Sequence, residues 1–170
     1  MIINLVLIIG IIISLILLSM IWPPDSPWAP GWRTNKKTAK IICRLAGIKK
    51  TDVVYDLGCG DGEVLLESAK LGAKGVGVEI DPLRFFIAKL RIKKNNFQNK
   101  IIVKRKNLFS EDISPATVVI VYLVPKALDK LLPKFKKELK KGTRIVSYRY
   151  EINMTIKEFD KKNNLRLYII

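Results

Sequence analysis

The stretch Val53-Val54-Tyr55-Asp56-Leu57-Gly58-Cys59-Gly60-Asp61-Gly62 leaves the chain few ways to fold. Two β-branched residues lead into an acid and then into glycines at every second position. Helical patterning from Glu63 to Lys70 follows, which predicts a strand, a tight turn and a helix start. Glycine tolerates positive φ and lets backbone N–H groups approach a bound molecule, while the helix start adds partial positive charge. A second short strand, Gly75 to Val78, ends at Glu79, where a carboxylate can take both hydroxyls of a ribose. Together the two features predict an adenine nucleoside lying across the carboxyl ends of a parallel sheet.

The residues on either side read as alternating helices and strands. Lys37 to Leu45 is expected as a helix, with Ala39, Ile42, Cys43 and Leu45 on its apolar face. Asp81-Pro82 has the form of a cap followed by proline at the first helical position. Leu83, Phe86, Ile87 and Leu90 then recur at helical spacing and are expected in the core, with Arg84, Lys89, Arg91, Lys93 and Lys94 on a solvated face. Ile101 to Val103 reads as a short strand. Ala116 to Leu123, the most apolar run of this part, has the composition of a central strand buried on both faces. Leu128, Leu131, Leu132, Phe135 and Leu139 make a helical stripe, expected to bend or restart at Pro133 and to end at Gly142. Thr143 to Tyr148 is the next strand, and Asn164 to Tyr168 the last, expected as an antiparallel edge.

The turn departs from the dinucleotide fingerprint G-x-G-x-x-G, whose third glycine falls one position later, so a nicotinamide dinucleotide fits less well. Asp56-Leu57-Gly58-Cys59-Gly60-Asp61-Gly62 resembles motif I of the class I, seven-β-strand methyltransferases, which bind S-adenosylmethionine. Val78-Glu79-Ile80-Asp81 resembles the acidic loop of the same family. The chemistry agrees, because a sulfonium cofactor carries no pyrophosphate, and carboxylates at Asp56, Asp61 and Glu79 would repel one. The resemblance implies an α/β fold: a doubly wound, mostly parallel seven-stranded sheet with an antiparallel edge. It also implies S-adenosylmethionine contacts from Asp56, Gly58, Cys59, Gly60, Asp61, Gly62, Glu79 and Ile80, and from Asn107 and Leu108 after the third strand, at the adenine ring. Many relatives have aspartate where Asn107 stands; an amide can still accept from the adenine amino group and donate to a ring nitrogen.

From Asp52 to Tyr150 the chain is similar to the small archaeal and mitochondrial seven-β-strand protein-lysine methyltransferases. The further matching pieces are Tyr122-Leu123-Val124-Pro125 and Lys141-Gly142-Thr143-Arg144-Ile145-Val146-Ser147-Tyr148. The first of these is neither the Asn/Asp-Pro-Pro-Tyr/Phe string of enzymes that methylate planar nitrogens nor a carboxylate-rich loop for a metal. The resemblance implies lysine methylation of cytoplasmic proteins, membrane-bound ones included, with Tyr122 orienting the amine. Relatives usually have a proline-threonine pair before the first helix, where this chain has Trp32-Arg33-Thr34-Asn35. Three alternatives stay open: an RNA methyltransferase, which suits the charge but shows no RNA-binding module; a small-molecule or lipid methyltransferase, which usually carries a lid; and a non-catalytic cofactor-binding module.

Charge and composition bear on partners. The 31 Lys+Arg against 15 Asp+Glu give a net charge of +16, which favours anionic surfaces, acidic proteins or RNA; nucleic acid is admitted but not favoured. The chain has no histidine, which excludes a His-based triad or classical zinc site, and its two cysteines make no disulfide framework; no metal is expected. Residues 1–22 carry no charge and are about long enough to cross a roughly 30 Å hydrocarbon core as a helix. A cleaved signal is the alternative, but no basic residue precedes the apolar run. The expectation is therefore a transmembrane anchor at 1–22, a Pro/Trp-rich interfacial linker at 23–36 and a catalytic domain at 37–170. Arg33, Lys36, Lys37 and Lys40 place that domain in the cytoplasm of a single-pass membrane protein.

Overall fold

The computed structural model describes residues 2–21 and 33–170. The helix α1 (Ile2–Ile21) comes first. It does not support the expected membrane span: among the described residues no helix is long and apolar enough to cross a membrane. Side chains in α1 are described only at Asn4 and residues 7–15. That consecutive stretch rises about 14 Å at 1.5 Å per residue, under half of a roughly 30 Å hydrocarbon core. The transmembrane part of the fold assignment, the single-pass location and the membrane as a partner are corrected accordingly. The linker's tryptophans and prolines, residues 22–32, lie outside the described residues.

The rest builds one sheet with helices on both faces. In chain order come α2 (Lys36–Leu45), β1 (Val53–Leu57), α3 (Glu63–Lys70), β2 (Lys74–Glu79), α4 (Pro82–Lys94), β3 (Ile101–Arg105), a 3-10 turn (Leu108–Ser110), β4 (Val118–Val121), α5 (Pro125–Glu138), β5 (Arg144–Tyr148), β6 (Glu158–Asp160) and β7 (Leu165–Ile169). The strand order is β3-β2-β1-β4-β5-β7-β6, with β1 to β5 parallel and β7 antiparallel to both β5 and β6. The last strand pairs antiparallel as its sequence suggests, but it is not the edge. Asp160 Oδ1 accepts from the Asn163 N–H, turning the chain so that the short β6 pairs outside β7.

Period-two patterning divides the core between the two faces. Tyr55, Leu57, Val119, Val121 and Ile145 pack under Leu128, Leu131 and Phe135 of α5. Val54, Val118, Ile120 and Val146 pack on the other face with Ala39, Ile42 and Cys43 of α2 and Val64 of α3. All four residues of β4 are buried, as a central strand requires. Pro133 lies inside α5, which runs on through it to Glu138 instead of restarting. Asp81 caps α4 by accepting the Arg84 N–H at 2.8 Å, with Pro82 next in line. On α4 the apolar stripe is only partly covered: Phe86 and Leu90 are exposed, against the expectation that they are core.

β1 lies between β2 and β4, so successive crossovers leave it in opposite directions along the sheet. This is the topological switch point, where a crevice opens outside the carboxyl ends of the strands.

Candidate active site

The turn after β1 occupies that crevice. Gly58, Gly60 and Gly62 take φ values of 85°, 54° and 78°, a region L side chains rarely adopt. The N–H groups of Gly58 and Cys59 both donate to the Val78 carbonyl, at 2.8 and 3.1 Å, folding the turn against the end of β2. A side chain built at Gly60 would meet nothing within 4 Å, so the turn has open space in front of it.

Glu79, buried at the end of β2, is held at both oxygens. Oε2 accepts the Gly60 N–H at 2.8 Å and Oε1 accepts the Asp81 N–H at 2.9 Å. Each oxygen keeps a further lone pair for a ligand hydroxyl. The Lys106 N–H donates to the Glu79 carbonyl at 3.2 Å, which brings the segment after β3 to the same place. Ile80 is 59% exposed beside it. Asn107 is exposed, its side-chain oxygen accepting the Phe109 N–H at 3.0 Å, and Leu108 is half-buried.

Asp56 is buried, and desolvation first, then the Glu79 and Asp61 charges, push its carboxyl up to about 7. None of these influences lowers it, so the site favours a cation. Asp61, by contrast, is paired: Arg91 Nη1 lies 2.6 Å from its Oδ2, and the exposed Arg33 binds the same oxygen. Arg91 also donates to the Asp61 carbonyl at 3.0 Å and pairs with Glu63. The residue expected on a solvated face instead clamps α4 to the turn. Cys59 is buried with its thiol turned toward Gly77 and Leu65, so only its backbone faces the crevice; burial raises its thiol well above the usual range.

Tyr122 follows β4, next to the turn, since Leu57 of β1 pairs with Val121. Its hydroxyl is buried without a hydrogen-bond partner. Desolvation raises the phenol, keeping it protonated. Its ring lies 4.5 Å from that of Tyr148. The structure thus gathers Asp56, the glycines, Glu79 and Ile80 around one crevice, ties the Asn107–Leu108 segment to it through Lys106, and places Tyr122 at the adjoining strand end. Sequence reasoning missed Arg91, Arg33, Tyr148 and Arg149; the Tyr148-Arg149-Tyr150 triplet after a predicted strand was the available signal.

The ANTKMT methyltransferase domain model matches residues 56–158, from the acid of the turn to the start of β6. The chain belongs to this family. The methyltransferase is 36% identical over 160 residues to a protein-lysine N-methyltransferase of Saccharolobus islandicus, covering 89% of this chain and 98% of that one. It is 25% identical over 129 residues to an ATP synthase lysine N-methyltransferase of Caenorhabditis elegans, covering 76% and 67%. It is also similar to the crystal structure of an RNA methyltransferase from Salinibacter ruber in complex with S-adenosyl-L-homocysteine, at 34% identity and a TM-score of 0.79 over 82% of this chain and 94% of that one. Its cofactor is S-adenosylmethionine. The residues fit it: a buried carboxylate lacking a lowering influence suits a ligand that carries an ammonium and a sulfonium, and the open space before Gly60 leaves room for one.

Proposed function

We propose that this methyltransferase acts on the ε-amine of lysine side chains in proteins. The observation that carries the reading is the buried, unpartnered hydroxyl of Tyr122, beside the cofactor turn at the end of β4. A hydroxyl kept dry without a partner is unfavourable unless something else meets it, and an amine donates the bond it lacks. The lysine methyltransferases among the relatives support the same acceptor.

Bound S-adenosylmethionine supplies a methyl group made electrophilic by its sulfonium. Asp56 and the backbone of Gly58 and Gly60 hold the methionyl end, Asp56 in its ionised form facing the ammonium. Glu79 takes the ribose hydroxyls on its free lone pairs, the turn through Gly62 and Asp61 fixes the approach, and Ile80 and Leu108 flank the adenine. The Asn107 amide N–H donates to a ring nitrogen. Tyr122 accepts an N–H of the neutral amine, aiming the nitrogen lone pair at the methyl carbon. The N–C bond forms as the C–S pair stays on sulfur. The proton that the lysine ammonium loses beforehand goes to water, a loss that desolvation in the crevice favours. This chemistry is chiefly alignment, so it needs no histidine.

A second reading, RNA methylation, draws support from the Salinibacter neighbour and the net charge of +16. One experiment separates the two. The full chain is incubated with methyl-labelled S-adenosylmethionine and host extract, and the products are digested separately with protease and ribonuclease. Protease-sensitive label that co-migrates with methyl-lysines after hydrolysis is expected; ribonuclease-sensitive label overturns the reading.

A further inference from the structure

A second cluster of chemistry-bearing side chains lies at the carboxyl ends of β4 and β5. Val121 pairs with Ser147, so Tyr122 and Tyr148 come side by side, with ring centroids 4.5 Å apart and planes tilted by 50°. The Arg149 guanidinium lies over both rings, 5.6 Å from each centroid, within the roughly 6 Å at which a ring face attracts a cation. The backbone holds it there. Arg149 takes φ 68°, uncommon for a residue with a side chain; its N–H donates to the Asn164 carbonyl at 2.8 Å, and its own carbonyl accepts from Arg166 at 3.0 Å. Arg149 itself is exposed.

Two ring faces turned to one cation, with a buried unpartnered hydroxyl on one of them, form a receptor for positive charge. We propose that the Tyr122–Tyr148 cleft seats the ammonium group of the acceptor and that Arg149 is its resident substitute, an internal competitor the incoming lysine must displace. The inference rests on the lysine reading and adds the regulation of that same site. A guanidinium suits the role: it keeps its proton at physiological pH, so it fills the cleft without becoming a nucleophile, and it stacks on aromatic faces. Its exposure keeps the contact weak enough to yield. Removing such an exposed contact is worth about two- to fivefold in the apparent affinity of a competing cation.

The test compares the full chain with Arg149→Gln, which keeps the backbone bonds of the turn. With poly-L-lysine as acceptor, Arg149→Gln is expected to lower KM about two- to fivefold while kcat moves less; an unchanged or raised KM overturns the proposal. Tetramethylammonium titration followed by tyrosine fluorescence gives a readout independent of turnover. Tighter binding to Arg149→Gln than to the unaltered chain supports the proposal, and equal binding overturns it. If neither protein methylates lysine, the lysine reading fails, and the tetramethylammonium titration alone then decides whether Arg149 excludes cations from the cleft.

Discussion

The Gly60 N–H donates to Glu79 Oε2 at 2.8 Å, locking the turn after β1 to the carboxylate at the end of β2. With Asp81 donating to the other oxygen, Glu79 is oriented before any ligand arrives, and little ordering remains for binding to supply.

Two glycines near this lock should respond differently to alanine. Gly60 faces open space but sits at φ 54°, so Gly60→Ala is expected to cost about 1–2 kcal/mol of stability while projecting a methyl group into the cofactor's space. A Cβ at Gly77 would lie 2.7 Å from Cys59 Sγ and from Leu65 Cδ1, so Gly77→Ala should destabilise by about 1–3 kcal/mol. Urea unfolding gives the stabilities, and calorimetric titration of the folded proteins gives the affinities.

Asp56 sets a pH dependence. Its carboxyl is raised from 3.8 to about 7, so the native chain retains a proton that the unfolded chain releases. Stability without cofactor therefore falls as pH rises from about 4 to about 7 and levels off above, and Asp56→Asn removes that slope. An ammonium partner favours the ionised form, so cofactor binding below about pH 7 releases a proton, and affinity climbs toward neutrality. Calorimetry in two buffers of different ionisation heat measures the released proton directly.

Arg91 and Arg33 share Asp61 but differ in burial. Arg91 also holds Glu63 and the Asp61 carbonyl, among carboxylates about a tenth exposed, so Arg91→Ala should cost about 1–3 kcal/mol and weaken cofactor binding. Arg33 is 71% exposed, so Arg33→Ala should change stability by no more than about 0.5 kcal/mol. Paired denaturant curves compare the two.

The parts legible in the sequence were those whose signal is local. The glycine turn needs positive φ at fixed offsets, Asp81-Pro82 caps a helix over four residues, and Val118 to Val121 is apolar because both its faces are covered. The missed parts depend on partners distant in sequence. β6 has no apolar alternation and exposes Phe159; it forms because β7 offers an edge. Arg144 joins Asp52 across 92 positions, and Glu111 is 2% exposed only because Lys104 and Lys106 reach it. Phe86 and Leu90 keep helical spacing without being covered, since periodicity marks a face but not what packs on it. The apolar N-terminal run misled in a similar way, because an uncharged composition does not by itself establish a membrane span.

Tyr122→Phe separates chemistry from stability. Removing a buried hydroxyl that has no partner should leave stability within about 1 kcal/mol or raise it, whereas losing the acceptor's orienting contact should lower kcat by at least about tenfold. Thermal unfolding and single-turnover methyl transfer measure the two effects.

The placement of S-adenosylmethionine between the glycine turn and Glu79 is tested most directly by calorimetric titration of the cofactor into the full chain and into Glu79→Ala, with circular dichroism confirming that both are folded. The alanine variant is expected to keep the fold and to lose at least about tenfold in affinity, since two charge-assisted hydrogen bonds to the ribose disappear. Equal affinity in the two proteins would contradict this placement.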